Sequence, residues 1–170
     1  MLGQIRATAR ATGLPVRVIR RDIVPRCGPL GGIYTALQTT RKEAVLFLAC
    51  DAPFVSVQLL DRLVQKFQAA RGAWFIAHRG RVGFPFLLPT RCLRVVARQL
   101  ERGEFSLQSL AVEVKAKRFS LPRSLSLQLQ NVNTPEEWEC ARRLWRDRKK
   151  ARKEGTARAG RWSAERALRR

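Results

Sequence analysis

Asp51 follows Ala44-Val45-Leu46-Phe47-Leu48-Ala49-Cys50, a continuous apolar run rich in strand formers. Such a run reads as a parallel strand covered on both faces, with Asp51 the first polar side chain past its carboxyl end. Ligands of open α/β sheets bind in the crevice outside the carboxyl ends of the strands. A carboxylate there is placed to hold a divalent cation against the phosphates of a nucleotide. An aspartate after a strand also serves as a plain turn residue that accepts from the backbone two positions on. Pro53 ends the strand in either reading.

Upstream, Gly28-Pro29-Leu30-Gly31-Gly32 precedes a helix-like stretch through Tyr34, Ala36, Leu37 and Gln38. Bare glycine amides at a helix N-terminus admit an anion or an aromatic base. The same letters also suit a flexible loop with a proline near a helix start. Near the other end, Asn131 and Asn133 occupy alternate positions of an extended segment and face the same side, an arrangement suited to a polar heterocycle. Thr134, Pro135 and Glu137 then spell a helix start, with Thr134 as N-cap, Pro135 at the first helical position and Glu137 closing a capping box.

Gly28 to Ile33, Ala49 to Phe54 and Asn131 to Glu137, in this order and spacing, resemble the molybdenum cofactor guanylyltransferases and related nucleotidyltransferases. The resemblance covers about Gly13 to Leu144. It implies a Rossmann-like, three-layer α/β fold with a mostly parallel sheet, and transfer of GMP from GTP to a molybdopterin cofactor with release of pyrophosphate. On that resemblance Asp51 is the catalytic residue and the Mg2+ ligand. Gly28, Pro29, Leu30, Gly31 and Gly32 lie beside the nucleotide, Asp22 contacts it, and Asn131 and Asn133 match residues on the cofactor side. Cytidylyl transfer, or guanylyl transfer to another small molecule, is the alternative within the class. The family's phosphate loop, L-A-G-G-x-S-x-R-M-G-x-D-K, has no counterpart here, so the chain reads as truncated at its N-terminus and impaired in activity. A sheet without those first strands exposes edges, which favours poor solubility or self-association. Phe84, before Pro85, stands where the family usually carries His or Gln.

The elements that must position these residues are ordinary. The strand-like Val16-Arg17-Val18-Ile19 leads to Asp22. After Ser56 as N-cap, Leu59, Leu60, Leu63, Val64 and Phe67 recur at helical spacing. Ala73 to Ala77 reads as a strand, Gly80 to Gly83 as a turn, and Phe84 to Leu88 as the return. Leu93, Val96, Ala97 and Leu100 form an amphipathic helix whose other face carries Arg91, Arg94, Arg98 and Arg102. Ser106 to Val112 starts a short helix, and 112–129 supplies one or two strands. Residues 1–146 are expected to form the nucleotidyltransferase-like domain and 147–170 a basic, disordered tail.

Lys and Arg number 34 against 13 Asp and Glu, a net charge of +21, and about half of that excess lies after Ala141. A tail of this kind binds nucleic acid nonspecifically and in a salt-dependent way, and Trp162 offers one stacking surface. A basic nucleic-acid-binding protein is therefore the alternative of another class. Cys27, Cys50, Cys92 and Cys140 are too far apart for a metal pair and read as free thiols. The lone His78 gives no support to a Ser-His-Asp system or a histidine metal site. With no apolar leader and no spanning stretch, the expected setting is cytoplasmic, without membrane, as a monomer or weak homo-oligomer.

Overall fold

The computed structural model describes residues 21–147; the strand-like Val16 to Ile19 and the tail from residue 148, with Trp162, lie outside the described residues. Two compact units divide the chain, Met1–Asn131 and Val132–Arg170. The first holds, in order, α1 (Gly28–Thr39), β1 (Ala44–Phe47), α2 (Val57–Ala69), β2 (Trp74–His78), β3 (Arg81–Pro89), α3 (Leu93–Glu101), α4 (Leu107–Glu113) and β4 (Lys117–Ser120). A 3₁₀ segment, Arg123–Leu129, follows.

Period-two alternation along the strands builds three layers. On one face of the sheet Phe75, Val82, Phe86 and Leu88 pack with Leu30, Ile33 and Leu37 of α1, Val96 of α3 and Leu110 of α4. On the other face Ile76, Leu46 and Trp74 pack with Leu59 and Leu63 of α2 and with Phe119 of β4. The centre of the first face is a run of rings. Phe86 stacks on Phe75 at 4.4 Å between centroids and on Phe47 at 4.9 Å, and Phe84 tilts against it at 4.9 Å.

The sheet order is β1-β3-β2-β4. Here the mostly parallel expectation needs correction. β3 pairs antiparallel with both β1 and β2, and only β2 with β4 is a parallel pair. β1, β2 and β4 run the same way, and β3 returns between them through a tight hairpin. Arg79 and Gly80 take φ of +49° and +78° at its tip, a two-residue turn of the primed kind. The pairing slips between Phe75 and Ile76, where Phe84 and Pro85 bulge out of register. The apolar run before Asp51 is likewise shorter than expected as a strand. It forms four residues, all half-buried rather than covered on both faces.

β3 projects beyond β1, because β1 ends opposite Phe86. The exposed flank of that projection is closed by a side chain. Gln108 of α4 accepts from the Val82 N–H through Oε1 at 3.0 Å and donates from Nε2 to the Val82 carbonyl at 2.7 Å. One amide thus supplies both bonds a neighbouring strand would have made.

The helices follow their sequence signals. Ser56 caps α2 by accepting from Leu59 N at 3.2 Å, and Ser106 caps α4 by accepting from Gln108 N and Ser109 N. The 112–129 stretch yields the single strand β4 and then the 3₁₀ segment. Cys27 and Cys92 are buried free thiols, and Cys50 and Cys140 are exposed ones. Burial pushes the Cys92 thiol above its ordinary range, against the opposing pull of Arg91. No helix of the described residues is long and apolar enough to cross a membrane.

In the second unit a helix, α5, occupies 135–147 of the described residues. Its capping box is formed: Glu137 N donates to Thr134 Oγ1 at 3.2 Å, while the Glu137 carboxylate accepts from Thr134 N at 3.2 Å and Asn133 N at 2.7 Å. Glu136, in the same first turn, has its carboxyl lowered by its own backbone amide and then by the Thr134 hydroxyl.

Candidate functional site

The glycine segment is not a loop. Gly28 to Gly32 forms the opening turns of α1, with Pro29 in the first turn and Gly28 at φ +54°. Leu30, Ile33 and Leu37 point into the core, and that burial outweighs the poor helix propensity of three glycines. Thr35, itself buried, ties the preceding segment to the helix. It accepts from Ile23 N at 2.8 Å and donates to the Gly31 carbonyl at 2.8 Å. Asp22 is thereby set against the glycine step. A Cβ on Gly31 would lie 2.6 Å from the Val24 carbonyl and 3.4 Å from Asp22 Oδ2, and one on Gly32 would lie 3.6 Å from Asp22 Oδ1.

Asp51 sits in a turn four residues past β1, and the link 40–43 folds α1 back along β1. The start of α1, Asp22 and Asp51 therefore share the carboxyl-end pole of the sheet. Two anchors fix the Asp51 turn. Phe54 is buried, and Ser56 donates both its N–H (3.1 Å) and its hydroxyl (2.7 Å) to Oε1 of Gln128, a buried side chain of the 3₁₀ segment. Asp51 Oδ1 is buried from solvent, and no hydrogen-bond donor among the described residues reaches it. A buried carboxylate oxygen without a donor costs about 1–3 kcal/mol or more. A bound cation is the natural relief.

The pole thus offers two carboxylates of different character. Asp22 is exposed beside the start of α1, where Gly31 is buried against the Val24 carbonyl and Gly32 is half-buried, and it can accept from N–H or O–H groups of a ligand laid against Gly32. Asp51 presents an unsatisfied oxygen suited to a hard cation. The described residues hold no cluster of three His, Cys, Asp or Glu that would bind a metal by protein ligands alone. One carboxylate completed by substrate phosphates is how Mg2+ is commonly held, so the donor set fits that ion.

Asn131 and Asn133 are both exposed and fall in different units, Asn131 as the last residue of the first and Asn133 as the second residue of the other. The backbone of Asn133 belongs to the α5 cap. Phe84 is half-buried against the core. Sequence reasoning missed Thr35 and Gln128. Thr35 lies one helical turn from Gly31, the only local signal it carried, and Gln128 reaches a partner 72 residues away.

Gly31→Ala is expected to lower stability by about 1–3 kcal/mol, because the Val24 carbonyl in its path is backbone and must shift. Gly32→Ala, with only an ordinary contact ahead of it, is expected to cost less than about 1 kcal/mol. Urea midpoints of the two variants check the contrast.

The sequence profile of the MobA-like NTP transferase domain matches residues 3–116. A probable molybdenum cofactor guanylyltransferase of Flavobacterium johnsoniae is 30% identical over 118 residues, 68% of this chain and 62% of that protein. A molybdenum cofactor guanylyltransferase of Pseudomonas putida is 33% identical over 110 residues, 64% and 57% of the two chains. The chain thus spans about 60% of the length of these relatives. In fold it is similar to molybdopterin-guanine dinucleotide biosynthesis protein A from Archaeoglobus fulgidus, with a TM-score of 0.62 at 15% identity over 86% of this chain and 76% of that one. It is similar also to 2-C-methyl-D-erythritol 4-phosphate cytidylyltransferase from Thermus thermophilus, with a TM-score of 0.61 at 16% identity over 85% and 88%. A three-layer α/β body, a glycine-faced helix start beside Asp22 and a carboxylate past β1, matched by that profile over residues 3–116, make this chain a member of the MobA-like NTP transferase family.

Proposed function

We propose that the chain serves guanylyl transfer, in which GMP passes from GTP to the phosphate of a molybdopterin cofactor and pyrophosphate leaves. The observation that carries the reading is the buried, donorless Oδ1 of Asp51 at the carboxyl-end pole. Relatives named molybdenum cofactor guanylyltransferase, at 30% and 33% identity, support the choice of substrates. Asp51 would hold Mg2+, which when bound neutralises phosphate charge and screens it from an incoming anion. Gln128 and Ser56 keep the Asp51 turn in place. The nucleoside lies against the half-buried Gly32 at the start of α1, and the exposed Asp22 accepts from its N–H or O–H edge. Asn131 and Asn133 are assigned to the cofactor side, and the setting is the cytoplasm.

Calorimetric titration with GTP and with CTP, each with and without Mg2+, tests this. Binding of GTP that requires Mg2+ supports the reading. Binding of CTP in preference moves the assignment to cytidylyl transfer, and Mg2+-independent binding of either removes Asp51 from its role.

A further inference from the structure

The opposite pole of the sheet carries a separate charged feature. β1, β2 and β4 begin there and β3 ends there, so four connecting segments meet at one rim. Residues 40–43, 70–73, 90–92 and 115–117 contain Arg41, Lys42, Arg71, Arg91, Lys115 and Lys117 against one acid, Glu43. Glu43 is already engaged by the Arg71 guanidinium. All six cations are exposed.

Backbone contacts hold the row together. Thr90 N donates to the Glu43 carbonyl at 2.8 Å, and Thr90 Oγ1 donates to the Lys42 carbonyl, which joins the ends of β1 and β3. Arg91 donates to the Arg71 carbonyl, joining β3 to the start of β2, and Lys117 N donates to the Ala73 carbonyl at 2.9 Å, joining β2 to β4. In spatial order the strands present Lys42, Arg91, Arg71 and Lys117 across three strand spacings, a length of about 14 Å. Arg94 and Arg98 continue the row along the exposed side of α3 and have no ion-pair partner among the described residues.

This row cannot serve a nucleotide at Asp51, because it lies at the other end of the strands. We infer that it is a docking track for the phosphodiester backbone of a single-stranded nucleic acid. Two observations favour that partner over an acidic protein. The cations are spaced along a line and, apart from Arg71 paired with Glu43, have no ion-pair partner among the described residues, as a chain of regularly spaced phosphates requires. The linking segments expose no large apolar or aromatic side chain of the kind that anchors a protein interface. The rings beside the row are already covered by cations, Trp74 by Lys66 and Lys117 at 5.0 and 5.4 Å and Phe67 by Arg71 at 5.4 Å. Contact through phosphate alone makes the binding insensitive to sequence.

Fluorescence anisotropy of a labelled single-stranded RNA against the full chain, over a range of salt, tests the inference. Lys42→Gln/Arg91→Gln/Lys117→Gln is expected to weaken binding at least about tenfold at low salt and to flatten the log-log salt slope by about 2, at about 0.7 per lost phosphate contact. Lys42→Gln alone, on an exposed link, is expected to flatten it by about 0.7, which keeps the test decisive if the triple variant does not fold. Lys42→Arg/Lys117→Arg retains the affinity, and Asp51→Asn leaves it unchanged. An unaltered slope in the triple or the single variant overturns the inference and assigns the binding to charge elsewhere, such as residues 142–170. Polyglutamate competing as well as RNA overturns the phosphodiester assignment, and single-stranded DNA binding as tightly as RNA supports it.

Discussion

On the proposed function, Asp51→Asn is expected to abolish the Mg2+ dependence of GTP binding and to lower guanylyl transfer on the order of 10²–10³-fold, the size of effect that follows loss of one preorganised electrostatic group at a reacting phosphate. The same substitution should leave the folded state about as stable as before, because it is isosteric and breaks no hydrogen bond at the buried Oδ1. Loss of function joined to unchanged stability is the signature that separates a metal-holding carboxylate from a turn residue. A turn aspartate would show the opposite pattern, with a lower unfolding midpoint and unchanged nucleotide binding. Titration calorimetry with and without Mg2+, beside urea unfolding of the same preparations, reads both quantities.

The largest stability effect belongs to Phe86. Its ring is fully buried and touches three others, Phe75, Phe47 and Phe84, so it ties β1, β2 and β3 together at the centre of one sheet face. Phe86→Ala is expected to cost about 3–5 kcal/mol, the sum of lost transfer energy and the cavity left behind. In a chain of this size each kcal/mol shifts the thermal midpoint by about 2–4 °C, so a fall on the order of 10 °C is expected. Phe86→Leu, which keeps most of the volume, should cost less than half as much. A small loss in Phe86→Ala would mean that the three strands are held by something other than this ring stack.

Much of the fold could be read from the chain because its signals are local. Ser56 with Leu59, Leu60, Leu63 and Phe67 marks α2, and Thr134 with Glu137 marks the α5 start through bonds that span three residues. The direction of β3 was not legible. An apolar run such as Ala44 to Cys50 marks a strand, but it carries no record of which way its neighbour runs. That is settled by the two-residue turn at Arg79 and Gly80, which returns β3 between β1 and β2. The glycine segment misled in a different way. Its letters have loop propensity, yet Leu30, Ile33 and Leu37 bury one stripe and recruit the glycines into α1. Asp51 was legible as the first polar residue past a strand. Its orphaned oxygen was not, since that depends on which donors the fold fails to bring near. The pairing of Asp22 with Gly31 and Gly32 likewise depends on Thr35 reaching back across 12 residues to Ile23.

The Gln108 clasp on Val82 turns one amide into a reporter. In most of a sheet a backbone N–H is held by a neighbouring strand, and its exchange with deuterium records the opening of that strand. The Val82 proton is held instead by a side chain of α4. It should therefore exchange whenever α4 lifts from the sheet, even while the neighbouring strand pairs stay closed. A difference in protection between Val82 and the strand-paired amides of β3 would measure directly how much less free energy it takes to undock one helix than to unfold the domain.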